Sequence, residues 1–433
     1  MAASTLTTTA ATAAPSLAPL LPTASPFDPS LETLRPARAS DSQVLVREGF
    51  WEWEGHRIRY TRAGFGDDDG GGGENEGGEN EGGENETSSP PPSDKGPLLV
   101  CVHGFGGNAD HWRKNVPELS RGGCRVAAID LLGFGYSSKP DPRRGDAASR
   151  SGGGGGGGGG GERRAGEGEP SPLPPNQIYS MEAWARQLLA FIRGPCGGGP
   201  AFLITNSIGG IAALQAAVYA EHEASASGAP SAVAGVQLMD VSLRMLHTTK
   251  QPPVARPLVS AVQAVLRETA VGELFFSAVA KPETVSKILK EAYGDPAAVD
   301  GELVAAILGP GLEPGAARVF LDFISMSGGP LPEALLSRLK TTPVSVLWGE
   351  RDPWEKLEWG RELAAQAAAS EALAAAWRDG KAPGNSAVAA AAGSCVEEFE
   401  VLPGVGHCPQ DEAPELVNPL TLRFVRRHHK QVV

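Results

Sequence analysis

The stretch Leu-Ile-Thr-Asn-Ser-Ile-Gly-Gly at residues 203–210 constrains this chain more than any other. An apolar run stops at Ser207, and a small-residue helical pattern follows at once, from 208 to 219. A strand that becomes a helix within one residue is half of a βαβ unit. Repeated units of that kind build a parallel sheet covered on both faces. The repetition is present. Short apolar runs read as buried strands at 97–102, 125–129, 201–205, 236–239, 344–348 and 398–402. The spacing of Met181, Trp184, Leu188 and Phe191 predicts a helix over 179–192, and further helices start at 359 and 416. Alternation over 51–62 around Glu54 and Gly55 predicts a β-hairpin. The expected class is α/β, a mostly parallel sheet flanked by helices.

The strands at 236 and 344 are separated by far more chain than a crossover needs. That interval carries helical patterns at 258–274, 282–293, 301–308 and 316–325 and no strand pattern, so 243–338 is read as a helical cap inserted into the core. The core then comprises 46–242 and 339–433. Two low-complexity inserts interrupt it, Glu-Asn-Glu-Gly-Gly repeats at about 66–95 and a polyglycine-bearing stretch at about 143–175. Neither composition can bury a core. An alanine-rich expansion over 364–393 reads as part helix and part loop. Residues 1–45 are rich in Ala, Ser, Thr and Pro, and their first acid is Asp28. Acid-poor, hydroxylated composition without an apolar h-region predicts an organellar transit peptide, and the lack of an arginine-bearing amphipathic helix favours the plastid.

The formal charge of −13 resides mainly in the first insert, where ten acids and one lysine between 66 and 95 leave −4 for the rest. No basic stripe offers a phosphate-neutralising surface, which argues against nucleic acid as partner. The five cysteines (Cys101, Cys124, Cys196, Cys395, Cys408) are odd in number and form no CxxC pair, so neither a disulfide framework nor a zinc site is expected.

Four strand ends carry chemistry. A serine hydroxyl needs a strained strand-to-helix turn that exposes it beside a base, and Ser207 stands at such a turn. The turn demands small neighbours two positions away. Gly209 meets that demand downstream, whereas Thr205 stands upstream in place of the usual glycine. Residues 103–107 (His-Gly-Phe-Gly-Gly) follow the first core strand. With the elbow they can aim the N–H groups of Phe105 and Ile208 at a developing oxyanion. The glycine spacing does not match a dinucleotide loop. After the strand at 344, Asp352 is the expected histidine partner, with Glu350 and Asp240 as other acids at strand ends. His407, in a glycine-flanked loop after the last strand, is the expected general base; His103 is read as shaping the oxyanion loop, with His111 beside it. Cys408 lacks a base of its own and reads as packing. The order Ser, Asp, His with an upstream oxyanion loop is that of the α/β-hydrolases. Epoxide hydrolases of that fold carry an aspartate at the elbow, so a serine there points to acyl transfer to water.

Beyond the triad, the sequence resembles the plant and algal chloroplast α/β-hydrolases that include chlorophyll dephytylase. The resemblance rests on Val-Ser-Leu-Arg-Met-Leu-His at 241–247, on 266–272, 307–315 and 327–333, and on 402–419. It implies hydrolysis of the phytyl ester of chlorophyll to chlorophyllide and phytol, at the periphery of the thylakoid membrane or in the stroma. The related pheophytinases imply the magnesium-free pigment as an alternative substrate. No metal or cofactor is implied, and no protein partner is named. A phytyl chain needs an apolar tunnel, and the cap residues Leu258, Val262, Leu266, Leu274, Phe275 and Phe276 are expected to line it or to pack the cap onto the core. A general carboxylesterase or C–C bond hydrolase, and a triad-bearing hormone receptor, are the competing readings.

Overall fold

The sheet begins as an antiparallel ribbon of β1 (Thr33–Pro36), β2 (Leu45–Trp53) and β3 (His56–Ala63). The expected hairpin is β2–β3. Trp53 pairs with His56 across Glu54 and Gly55, whose φ values of 50° and 77° are the two positive angles that a tight two-residue turn requires. The computed structural model describes residues 33–36, 44–66, 96–142, 178–244, 247–368, 371–380 and 395–429. Both low-complexity inserts, most of the leader and part of the alanine-rich stretch lie outside them. β1 falls within the expected leader and pairs with β2.

The core continues with β4 (Leu98–Val102), α1 (Val116–Arg121), β5 (Arg125–Ile129), α2 (Met181–Arg193), β6 (Ala201–Asn206), α3 (Ile208–Ser227) and β7 (Val233–Met239). Among the described residues nine strands form one sheet in the order β1-β2-β3-β5-β4-β6-β7, then β8 (Val344–Gly349) and β9 (Val396–Leu402), and pairing is parallel from β5 onward. The strands read as continuous apolar runs because both faces are covered. In β4, Leu98, Val100 and Val102 enter one core cluster while Leu99 and Cys101 enter the other, and all five are buried. β4 lies between β5 on one side and β6 on the other, so the chain reverses its direction of travel across the sheet there. Loops leaving the carboxyl ends of β4 and β6 open a crevice at that switch point, where open α/β sheets bind ligands.

The β3 edge is tied down by a buried cation. Arg59 pairs with Glu48 at 2.7 Å, Asp110 at 2.8 Å and Asp130 at 3.4 Å, which links the ribbon to the loops after β4 and β5.

Between β7 and β8 lies the cap: α4 (Arg256–Glu268), α5 (Ala270–Val279), α6 (Pro282–Ala292), α7 (Gly301–Gly311), α8 (Ala316–Ile324) and α9 (Pro332–Leu336). The pattern over 258–274 predicts one helix, whereas the structure has two. Thr269 takes extended backbone, and its hydroxyl accepts from the Val271 N–H as the cap of α5. The corner is tight: a Cβ on Gly272 would lie 1.8 Å from the Leu266 carbonyl oxygen. After β8 come α10 (Leu357–Gln366) and α11 (Glu371–Arg378). β9 is followed by α12 (Pro409–Glu412) and α13 (Pro414–His429). Among the described residues no single helix is long and apolar enough to cross a membrane.

Candidate active site

Ser207 occupies φ 53°, ψ −123°, a backbone region that side-chain-bearing residues rarely enter. Its N–H donates to Met239 O at 3.0 Å and its carbonyl accepts from Gly210 N at 3.0 Å, so the turn is held from both sides. Gly209 is there because β4 comes close: a Cβ would sit 2.5 Å from His103 O and 2.8 Å from Val102 O. Thr205 does not distort the elbow. Its backbone pairs with Val102 and Leu238, and its buried hydroxyl donates to Gln237 O at 2.9 Å. The room it needs comes from Gly210, where a Cβ would stand 3.3 Å from the Thr205 hydroxyl oxygen. The bulk absent upstream in the usual pattern is here absent downstream.

At the same sheet edge, His407 Nδ1 lies 2.6 Å from Asp352 Oδ2. Asp352 Oδ1 accepts from the N–H groups of Trp354 at 2.8 Å and Glu355 at 3.0 Å, which fixes the carboxylate. Trp354 meets the His407 ring edge-on at 4.9 Å. The His407 N–H donates to Ala292 O at 2.8 Å, so the histidine loop is anchored to cap helix α6. Gly406 allows that approach, since a Cβ would stand 2.2 Å from the same carbonyl oxygen. Of the other acids, Glu350 turns away and accepts from Gly404 N at 2.8 Å. Asp240 is wholly buried beside Asp352. Cys408 packs with Leu289, Tyr293 and Leu303, and burial lifts its thiol well above the usual range, which removes it as a nucleophile.

Asn206 was not singled out by sequence. Its Nδ2 donates to His407 O at 2.9 Å, which brings the histidine loop against the elbow. The only hint in the chain was its place beside the serine. Among the described residues the Ser207 hydroxyl makes no hydrogen bond. Bonds of that kind are often long before substrate binds.

The loop after β4, residues 103–107, is shaped by His103. Its Nε2 accepts from Leu131 N at 3.1 Å, which leaves Nδ1–H to donate to Gly104 O at 2.7 Å. Burial lowers its pKa and favours this neutral form. Gly104 lies directly against Ser207; a Cβ would be 2.9 Å from Ser207 Cβ. The N–H groups of Phe105 and Ile208 donate to no acceptor among the described residues, with Phe105 half-buried and Ile208 buried. Free backbone donors are the kind of group a forming oxyanion requires. His111 is taken up elsewhere, with Nε2 3.1 Å from the Tyr293 hydroxyl, and burial lowers its pKa to about 4.

An apolar cavity of about 130 Å³ runs from the oxyanion loop under the cap, with Phe105, Phe134, Phe276, Ile307, Val319 and Phe320 among its walls. Phe105 stacks on Phe323 at 4.5 Å and meets Phe320 at 5.2 Å, so the loop and α8 share one aromatic wall. Here the sequence expectation needs correction. Of the six cap residues expected to line a tunnel or pack the core, only Phe276 reaches this cavity. Leu258, Val262, Leu274 and Phe275 are 70%, 51%, 73% and 42% exposed, and α4 has no buried residue. The helical pattern marks an apolar face correctly, but the cap's walls come mainly from α7 and α8, with Phe276 and Val279 of α5, while α4 and the Leu274–Phe275 side of α5 point to solvent.

A sequence model described as the alpha/beta hydrolase family matches residues 99–420. Over 341 residues the chain is 27% identical to the chloroplastic pheophytinase of Arabidopsis thaliana, an alignment that covers 76% of this chain and 61% of that protein. Over 49 residues it is 49% identical to epoxide hydrolase B of Mycobacterium tuberculosis, covering 11% of this chain and 14% of that one. Among solved structures, the epoxide hydrolase CorEH superposes with a TM-score of 0.52 at 15% identity, covering 88% of this chain and 99% of that one. The chain thus spans under two thirds of the length of both curated relatives.

Proposed function

We propose, because this chain belongs to the alpha/beta hydrolase family, that it is a serine hydrolase cleaving a carboxylic ester with a long apolar alcohol. The observation that carries the reading is the 2.6 Å bond from His407 Nδ1 to Asp352 at the sheet edge that also bears the strained Ser207 turn. With Nδ1–H bound to Asp352, Nε2 of His407 is left as the base. It takes the Ser207 proton as the hydroxyl oxygen attacks the ester carbonyl. The N–H groups of Phe105 and Ile208 receive the negative charge that forms on the carbonyl oxygen. The proton then passes from His407 to the departing alcohol. Water, deprotonated by the same histidine, cleaves the acyl-serine and frees the carboxylate. A serine at the elbow favours this route over epoxide opening, despite the resemblance to epoxide hydrolases.

The substrate reading is narrower. The apolar cavity beside Phe105 suits the chain of a phytyl ester, and the likeness to a chloroplastic pheophytinase favours chlorophyll or its magnesium-free form as the acid part. The same likeness and the leader composition support residence in the chloroplast. Peripheral contact with the thylakoid membrane is favoured by the exposed apolar face of α4 and α5.

The test is incubation of the protein and its Ser207→Ala variant with chlorophyll, pheophytin and a short-chain aryl ester. Chlorophyllide or pheophorbide together with free phytol is expected from the wild type alone. Turnover of the aryl ester without pigment cleavage would reduce the reading to a general esterase. Turnover of none of the three would remove the hydrolase reading.

A further inference from the structure

We propose that Asp240 is a neutral carboxylic acid that donates a hydrogen bond to Asp352, and so acts as a positioning residue for the Asp352–His407 pair. The inference rests on the serine-hydrolase reading for its functional consequence, and for the protonation on the complete burial of Asp240 and the unpartnered Oδ2.

Asp240 follows β7 directly, and its backbone is turned to φ 45° while its N–H donates to Leu347 O at 3.1 Å. That turn aims the carboxyl across to the end of β8. There Oδ1 accepts from Gly349 N at 2.9 Å, while Oδ2 is buried without any donor. The Asp352 carboxyl faces it. Glu355 and the Cys408 thiol also face Asp240, with His407 beyond Asp352.

Two carboxyls in contact inside a dry site cannot both ionise. The charge goes to the one with more donors. Asp352 receives two backbone N–H groups and the His407 imidazole, whereas Asp240 receives one N–H. Burial and the neighbouring Asp352 charge therefore raise the Asp240 pKa, and its proton bridges to Asp352. Glu355 is a weaker version of the same case. It accepts from Leu243 N at 3.0 Å, and burial raises its pKa too.

The consequence concerns His407. A second ionised carboxylate behind Asp352 would hold the imidazole as imidazolium, which cannot accept the Ser207 proton. A neutral Asp240 fixes the orientation of Asp352 while keeping a single charge in the pair.

Asp240→Asn tests this, because asparagine can accept from Gly349 and donate to Asp352 as the protonated acid does. It should retain kcat/KM on an ester substrate within about threefold and leave the acid limb of the pH–rate profile in place. Asp240→Leu, which cannot donate, should lower kcat/KM by about tenfold or more. Asp352→Asn should cost about 10⁴-fold in kcat. A large loss in Asp240→Asn comparable to that of Asp352→Asn, or an acid limb displaced downward, would overturn the proposal. Infrared difference spectra of wild type against Asp240→Asn decide protonation without turnover. A protonated-carboxyl carbonyl band present only in the wild type is expected at neutral pH, and its absence would sink the idea. If no ester is cleaved, the serine-hydrolase reading fails while this spectrum still judges Asp240.

Discussion

Helices α3 and α4 are both apolar along most of their length, yet they have opposite fates. In α3, Ile208, Ile211, Ala212, Leu214, Ala217 and Val218 are all buried, because the helix leaves the nucleophile turn and lies along the sheet. In α4 no residue is buried, and Leu258, Val262 and Val265 are 70%, 51% and 46% exposed. Hydrophobic spacing announces that a face wants cover and says nothing about what covers it. For α3 the cover is the sheet next to it in sequence. For α4 the described residues supply none, and the face lies on the same cap whose inner side walls the cavity.

The sharpest way to break this comparison is chemical. If the rigid α3 side carries the reaction, Ser207→Ala should lower kcat by about 10⁶-fold, as measured by ester turnover, with the fold intact by circular dichroism. The next effect is thermodynamic. Leu214→Ala in α3 should cost about 2–5 kcal/mol in urea unfolding, since the side chain has no exposed area to lose. At the boundary between the two regions, Phe323→Ala removes the stacked partner of Phe105, and about 0.5–1.5 kcal/mol of that contact should appear as a raised KM for long-chain esters. Short-chain esters should be indifferent. A smaller effect is the pH dependence of stability. The Asp240 pKa is raised in the folded state, so its protonation favours folding only up to that raised value; stability falls as pH climbs from the unfolded carboxyl range toward it. Asp240→Asn should therefore raise Tm at alkaline pH more than at acid pH. At the bottom of the scale, Leu258→Ala should move stability by no more than about 0.5 kcal/mol, while vesicle flotation should report weaker lipid association. A costly Leu258→Ala would mean that the α4 face is covered after all.

Much of the architecture was legible because burial on two faces leaves no freedom in composition. The runs at β4, β6 and β8 are buried throughout and mostly apolar, and each lies where its run predicts. The hairpin was legible for another reason: Glu54 and Gly55 must both take positive φ. What was illegible was local in sequence but decided at a distance. The kink at Thr269 depends on Gly272 meeting the Leu266 carbonyl, a contact that helical spacing cannot register. The tolerance of Thr205 depends on Gly210, which a motif written around Gly209 overlooks.

The chain alone locates Ser207, Asp352 and His407 at strand ends, because an apolar run followed by a polar or small residue is a local signature of the sheet edge. It favours Asp352 as the partner acid, but Asp240 and Glu350 share the same strand-end signature, so the local pattern does not explain the preference. The choice is made by backbone turns after the strands. These carry Glu350 to Gly404, bury Asp240 behind Asp352, and leave Asp352 alone on His407 Nδ1. Hydrogen bonds are directional and short, so which acid meets the histidine waits for tertiary packing, whereas burial is an average that the sequence already carries.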